Sequence, residues 1–334
     1  MHFDQESAMP SIGRLTLPVV WLGLSLPLAP LALADDAPAK PAAEAPAARA
    51  PLAERSEEQA QDLARELPAD EQQTLQAGGD NFLALWKPAN APDSAGVVII
   101  VPGAGESADW PAVVAPMRNR LPDVKWASLS LTLPDVLAGA IQPRGADTQP
   151  APPKAASTST PPDANAPVEA AAAAGSEGSP SSGGDTTEDQ LQTDAERIFA
   201  RIDAGIAFAS QQKARSIVLL GHGTGAYWAA RYLTERQPSR AQKLALVEPR
   251  TPGSAPLGLD ALVAGVKVPV ADLYYPSSPA LTNAAKARLQ ASQRQKGGRY
   301  TQVQMTAMPG NPDAQEQLFR RVRGWLEPRA EGGN

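Results

Sequence analysis

The sequence has no cysteine, and it has only two histidines, His2 and His222. The lack of cysteine excludes disulfide bonds, a thiolate nucleophile, a cysteine-ligated zinc ion and acylation of a lipoprotein cysteine. Two histidines cannot form a histidine-rich metal site, so we expect no metal and no other cofactor. A basic surface is missing as well, since the net charge is −6 and no basic stripe stands out. This argues against a nucleic-acid partner.

Aromatic residues are also few, at 5%, whereas proline (34 residues) and glycine (26 residues) are abundant. This composition indicates segments that cannot bury a core. Residues 35–51 form an Ala/Pro-rich tether, and residues 137–188 are mostly Ala, Pro, Ser, Gly and Thr, so we expect a disordered insert there. The ranges 52–136 and 189–328 then make one domain of roughly 230 residues, followed by a short tail at 329–334.

The N-terminus is typical of a secretory signal peptide. An apolar run, Leu15–Leu33, follows Arg14, and the small-residue pattern Ala32-Leu33-Ala34 precedes two aspartates. We expect cleavage after Ala34 and a periplasmic or secreted protein with no integral membrane span. A retained membrane anchor is the alternative, although prolines interrupt the run. The acidic residues before Arg14 are unusual for a signal, and translation from Met9 instead of Met1 would remove them.

Short apolar strands alternate with helical segments in the two domain ranges. Val97–Val101, a β-branched run between Gly96 and Pro102, is typical of a strand buried on both faces. The alternation predicts an α/β fold with a mostly parallel sheet and helices on both faces. The other expected strands are 82–86, 126–133, 216–220, 244–247, 268–275 and 300–305, and the expected helices are 52–66, 111–121, 189–213, 227–235, 280–296 and 313–326.

The strand Ser216–Leu220 runs directly into Gly221-His222-Gly223-Thr224-Gly225 and then into a helix. A strand, a sharp turn and a helix with glycines at both ends of the turn are the features of a nucleophile elbow, Gly-x-Ser-x-Gly. Its central position is Gly223, which adopts the strained backbone easily but supplies no hydroxyl. The loop Gly103-Ala104-Gly105, after the strand Val97–Val101, has the glycines expected of a loop that offers N–H groups to an oxyanion.

These motifs resemble the α/β-hydrolase superfamily, and most closely a secreted bacterial branch defined as a domain of unknown function. The resemblance covers residues 80–327 apart from the insert. It implies an α/β-hydrolase fold with a degenerate elbow and a former oxyanion region at Gly103, Ala104, Gly105 and Thr224. The motifs that carry it are Val-Pro-Gly-Ala-Gly at 101–105, Asp-Trp-Pro at 109–111, Trp-Ala-Ser-Leu-Ser-Leu at 126–131, the elbow at 221–225 and Arg-Gly-Trp-Leu at 323–326.

The remaining triad positions depart from the family pattern. The loop that carries the family histidine corresponds to 307–312, which has none, and the usual loop of the acid corresponds to Pro276-Ser277-Ser278-Pro279. Asp272 lies earlier, inside a strand. Glu248 follows the preceding strand and is the better surviving carboxylate, but we expect no histidine for it to orient. Since the acid positions the base and the base deprotonates the serine, the triad mechanism fails at two steps.

Several residues are candidates for a different chemistry. Thr224 is the candidate for a displaced nucleophile, but we expect its hydroxyl to cap the helix that starts there. His222 is a candidate base, but we expect it to pack beneath the turn with its ring nitrogens bonded. Glu106, Asp109 and Glu248 are candidates for a carboxylate pair, against which we expect a solvated loop with Asp109 capping the next helix.

Two further groups of residues could bind a ligand. Trp110 and Trp228 could line a pocket, although Trp228 is expected in the core. The run Lys286, Arg288, Arg294, Lys296 and Arg299 could attract an anionic polymer, although a solvated helix face is the simpler interpretation. The insert enters where a lid often lies in this fold, but it lacks the apolar residues that a lid needs.

The sequence therefore predicts a catalytically inactive hydrolase-like protein that acts as a binding or scaffold module in the cell envelope, with a small molecule or an envelope protein as its partner. The alternative is a hydrolase of esters or related bonds that uses Thr224 or a carboxylate-activated water. A structural factor associated with peptidoglycan or matrix is a third possibility, indicated only by the tether. A pocket that brings together a hydroxyl, a carboxylate and two free N–H groups would favour the enzyme, and a filled or apolar cleft would favour binding.

Overall fold

An eight-stranded sheet organises the part of the chain that the computed structural model describes, which is residues 54–136, 183–294, 299–307 and 310–327. The strands are β1 (Gln72–Ala77), β2 (Asp80–Lys87), β3 (Gly96–Val101), β4 (Trp126–Leu131), β5 (Ile217–His222), β6 (Ala241–Val247), β7 (Val270–Tyr274) and β8 (Tyr300–Gln304). The helices are α1 (Arg55–Glu66), α2 (Val114–Arg120), α3 (Gly183–Gln211), α4 (Thr224–Glu235), α5 (Leu259–Gly265), α6 (Pro279–Gln293) and α7 (Pro312–Leu326).

The strand order across the sheet is β1-β2-β4-β3-β5-β6-β7-β8. β1 and β2 form a hairpin, β2 pairs antiparallel with β4, and every later neighbour is parallel. This is the α/β-hydrolase topology, so the predicted fold class is confirmed. Because the carboxyl ends of parallel strands lie at one edge, the loops after β3, β5, β6 and β7 meet there.

Alternating residues of β3 show how the sheet is covered on both faces. Val97, Ile99 and Val101 belong to one buried cluster, which includes side chains of α3, α4 and α5. Val98 and Ile100 belong to the cluster on the other face, beneath α2 and α7. Every residue of β3 is buried, as the uniformly apolar run predicts for a strand between two helical layers.

Three elements differ from the sequence expectations. β1, a mostly polar strand, was not expected. It lies at the edge of the sheet, where it pairs with one strand and is partly exposed, so its residues need not be apolar. α5 was not expected either, since its seven residues are too short for a clear period. α3 begins at Gly183, so residues 183–188 are helical and the insert as predicted is too long at its C-terminal end.

The predicted signal peptide, the tether, most of the insert and the whole tail lie outside the described residues. No helix in the described part of the chain has both the length and the apolar character to cross a bilayer.

Candidate functional site

The elbow between β5 and α4 has the backbone that the sequence predicts. Gly223 has φ 55° and ψ −123°, a conformation that L-residues adopt only with strain. A Cβ atom on Gly221 or Gly225 would come closer than 3.0 Å to neighbouring backbone atoms, of Ala226 in the first case and of Val101 and Pro102, at the end of β3, in the second. A Cβ atom on Gly223 would meet nothing closer than 3.9 Å. Backbone crowding therefore requires the two outer glycines and leaves the central position open.

His222, the last residue of β5, lies between two carboxylates. Its Nδ1 is 2.8 Å from Oε2 of Glu106, and its Nε2 is 3.9 Å from Oε1 of Glu248. The residue is only 7% exposed. Burial alone would lower the imidazole pKa, but the hydrogen bond with Glu106 and the charges of both carboxylates outweigh burial and raise the pKa to about 9. At neutral pH the ring is therefore a cation and cannot accept a proton as a general base.

The Glu248 side chain reaches this cluster because of the turn after β6. The residue has a positive φ of 46°, and its N–H donates to the carbonyl of Leu273. The sequence interpretation that Glu248 has no histidine beside it was therefore wrong, since His222 is that neighbour. The interaction could not be read from sequence spacing, because three separate strand ends bring Glu106, His222 and Glu248 together.

Two backbone N–H groups of the loop after β3 donate hydrogen bonds to side chains within the protein. The Gly103 N–H donates to Oε2 of Glu106 at 2.6 Å, and the Ala104 N–H donates to Oγ1 of Thr224 at 2.7 Å. Thr224 is the first residue of α4 and does not cap that helix, whose N-cap is Gly223 and has no side-chain bond. The expected helix cap is therefore replaced by a bond to the neighbouring loop, and both amides have internal acceptors.

The N-terminus of α1 covers this loop. A Cβ atom on Gly105 would lie 2.5 Å from the Arg55 guanidinium, so glycine makes room for that side chain. The Arg55 N–H donates to the Asp135 carboxylate at 2.9 Å, and Glu54 accepts the N–H of Asp135 and pairs with Arg197. The cavity between α1 and the loop after β3 is about 10 Å³, roughly the room of one water molecule.

The other candidate residues lie elsewhere in structural roles. Asp109 binds the guanidinium of Arg118, which is 2% exposed and also pairs with Glu71, so Asp109 is neither a helix cap nor part of the cluster. Trp228 is buried, as expected, and Trp110 is half-buried against the core. In the described part of the chain no group of three His, Asp or Glu residues could hold a metal ion.

The predicted basic run does not form one solvated face. Arg288 is 3% exposed and makes two hydrogen bonds to the buried carboxylate of Asp272, at 2.9 and 3.1 Å. Burial would lower the pKa of Arg288, but the bonds and charge of Asp272 outweigh it and raise the pKa. Lys286, Arg294 and Arg299 are exposed, and Lys296 lies outside the described residues. The expectation of a wholly solvated helix face was thus wrong at Arg288, which ties α6 to the sheet.

Solved structures with similar folds include several hydrolases. The dienelactone hydrolase from Anabaena variabilis ATCC 29413 has a TM-score of 0.47 and 14% identity, covering 77% of this chain and 97% of that one. Est1E from Butyrivibrio proteoclasticus has a TM-score of 0.45 and 10% identity over 77% and 96%. The Pyrococcus furiosus esterase PF2001 has a TM-score of 0.48 and 10% identity over 77% and 90%. No curated protein matches the sequence.

A family model, described as a protein of unknown function (DUF3530), matches residues 17–328. The match includes the whole sheet, the elbow and the loop after β3. The strand order and the elbow geometry described above define the superfamily fold. The chain thus has an α/β-hydrolase-like fold and belongs to the DUF3530 family.

Proposed function

We propose that this protein is a catalytically inactive α/β-hydrolase-fold protein that serves as a binding or scaffold module in the cell envelope. The observation that carries the proposal is that the loop amides already donate hydrogen bonds: Glu106 accepts one from the Gly103 N–H, and Thr224 accepts one from the Ala104 N–H. An oxyanion hole works through donors that are ready for the charge that develops in the transition state. Here those donors already have acceptors.

The charge beside the elbow also opposes acyl transfer. The carboxylate of Glu106 lies 3.9 Å from the position that a Cβ atom of residue 223 would take. A tetrahedral intermediate formed near that position would place its negative oxygen close to this carboxylate, and the two like charges would repel each other. Loss of a single oxyanion donor reduces turnover by about 10²–10³, and here a missing nucleophile and a protonated histidine add to that loss.

The assignment to the envelope is supported by the signal-like sequence. The apolar run Leu15–Leu33 and the small residues at Ala32 and Ala34 are typical of an exported precursor. The partner we propose is an envelope protein or a small molecule that binds elsewhere on the surface, because the cavity between α1 and the loop after β3 is only about 10 Å³ and holds no substrate body. N-terminal sequencing of the mature protein tests the cleavage after Ala34.

The second candidate function is hydrolysis by a carboxylate-activated water. The observation in its favour is the arrangement of Glu106 and Glu248 around His222, which gives two potential bases and a cationic donor beside the elbow. Thr224 is a poorer nucleophile in this arrangement, because its oxygen already accepts a hydrogen bond from Ala104.

A turnover assay separates the two proposals. The mature protein, from Asp35 onward, is tested with short and long acyl esters and with a covalent serine-hydrolase probe. We expect neither turnover nor labelling. Turnover that Glu106→Gln abolishes would support the carboxylate mechanism, and labelling that Thr224→Val abolishes would make Thr224 the nucleophile. Thr234→Val is the matched control, because Thr234 lies on the same helix and donates only to helix carbonyls.

A further inference from the structure

A buried arginine on α3 lacks a counterion in the described part of the chain. Arg201 is 7% exposed, and among the described residues its guanidinium makes one hydrogen bond, from Nη1 to the carbonyl of Thr132 at 2.7 Å. Burial and the charge of Arg197 lower its pKa, and the charges of Glu54, Asp80 and Glu57, which raise the pKa, do not offset them. Arg118 and Arg288, which are buried to a similar degree, each bind a carboxylate directly. Arg201 is therefore the exception among the buried arginines that these residues include.

Arg201 lines a cavity of about 260 Å³ between α1, β2 and α3. Phe82 lies under the guanidinium, with 5.0 Å between the guanidinium carbon and the ring centroid, so a ring face covers one side of the cation and its edges remain for hydrogen bonds. Thr132 lines the same cavity, is 5% exposed, and has a buried hydroxyl without a hydrogen-bond partner among the described residues. A guanidinium without a carboxylate partner and a hydroxyl without a hydrogen-bond partner, both judged among the described residues, thus share one wall.

Buried polar groups normally find partners, and a buried charge normally finds an opposite charge, because losing water without compensation is costly. A guanidinium carries five N–H donors in a planar fork that matches a carboxylate or a phosphate. The group that would satisfy both the fork and the hydroxyl is an anion with at least two oxygen acceptors. The site is separate from the elbow, so it does not depend on whether the elbow is inactive.

We propose that the cavity between α1, β2 and α3 binds a small ligand through an anionic carboxylate group, held by Arg201. The exposed Glu57 at the rim disfavours a second negative charge, which selects a monocarboxylate over a multiply charged phosphate. The half-buried apolar side chains Ala60 and Leu83 and the ring of Phe82 line the rest of the cavity and suit an apolar ligand body. A volume of about 260 Å³ limits that body to a small one.

Benzoate and acetate are the probes, with benzamide as the uncharged counterpart of benzoate and inorganic phosphate as the multiply charged anion. Binding to the mature protein is measured by isothermal titration and by the rise in melting temperature at constant ionic strength. We expect saturable binding of a carboxylate, weaker binding of phosphate and none of benzamide. Absence of saturable carboxylate binding at millimolar concentrations would overturn the proposal, and so would equal binding of benzamide.

Three variants locate the site. Arg201→Met should weaken carboxylate binding about tenfold or more, since a charge-assisted bond is lost, and should leave the unliganded protein folded because an unpaired buried charge is removed. Thr132→Val tests the same wall without changing charge. Arg294→Met is the control, because Arg294 is exposed on another helix. Equal carboxylate affinity of all three variants and the wild type would refute the assignment to this cavity. Binding lost in Arg201→Met or in Thr132→Val alone supports it.

Discussion

Placing a serine in the elbow tests whether the protein can keep the elbow backbone and still lack catalytic activity. Gly223→Ser supplies the missing hydroxyl at a position where a Cβ atom meets nothing within 3.9 Å. The substitution is therefore limited by backbone strain and not by a clash. A side chain in such a conformation costs about 1–3 kcal/mol, so the free energy of unfolding should fall by that amount while the protein still folds.

Catalysis should not appear in this variant. The new hydroxyl lies near Glu106, but the imidazole of the neighbouring residue, His222, is held between two carboxylates and has a pKa of about 9. A charged imidazolium cannot take the serine proton, and the Gly103 and Ala104 amides are engaged elsewhere. We expect Gly223→Ser to show no ester turnover and no burst with an activated ester.

Two further variants separate the effects of backbone strain, of the hydroxyl and of a steric clash. Gly223→Ala carries the same strain without the hydroxyl, so the difference between Gly223→Ala and Gly223→Ser measures the hydroxyl alone. Gly225→Ala places its Cβ against the backbone oxygens of Val101 and Pro102 at the end of β3 and should prevent folding or cost well over 3 kcal/mol. Chemical denaturation followed by circular dichroism measures all three. Measurable turnover by Gly223→Ser, or a Gly225→Ala variant as stable as Gly223→Ala, would refute this reasoning.

Three other perturbations test the interactions around the sheet edge. The pKa of His222 is raised in the folded state, so protonated His222 stabilises the fold fully below pH 6.5, and this stabilisation is lost as pH rises through about 9. Urea unfolding should therefore show the free energy of unfolding falling by up to about 3 kcal/mol over this range, and His222→Gln should abolish the fall. Asp272→Asn leaves Arg288 buried without its charge partner and should cost about 3–5 kcal/mol by denaturation, part of which Asp272→Asn/Arg288→Met should recover. Thr224→Val removes the acceptor of the Ala104 N–H and should speed hydrogen exchange at that amide without unfolding α4.

The sequence predicts the central layers of this fold well because their signals are local. β3 contains the uninterrupted apolar run Val97–Val101 and β5 the run Ile217–Leu220, and a strand that is buried on both faces can have little other composition. β1 cannot be predicted in this way, since its Gln and Thr residues lie at the edge of the sheet, where packing hardly constrains the side chains. The two glycines after it, Gly78 and Gly79, are the signal that could have identified the hairpin, because Gly-Gly between two runs favours a tight turn.

The candidate site could be located from the sequence but not assembled from it. The elbow and the loop after β3 are contiguous motifs, so their positions follow from residue order. The hydrogen bond between Glu106 and His222 joins residues 116 positions apart, and the bond from Ala104 to Thr224 joins residues 120 apart. Which acceptor an amide chooses depends on side-chain directions at the sheet edge, and no local pattern encodes that choice.

The elbow shows why a nucleophile motif without its serine can persist as a structural element. Gly221 and Gly225 serve the contact between β5, α4 and the loop after β3, where added side chains would strike the backbone. The N–H of Gly223 donates to the Val247 carbonyl, and its carbonyl accepts the N–H groups of Ala226 and Arg250, so the strained turn also fastens β6 to the sheet edge. These contacts stabilise the fold whether or not a hydroxyl is present. A glycine-flanked elbow therefore reports on packing at the strand–helix junction, and only the groups that face position 223 report on catalysis.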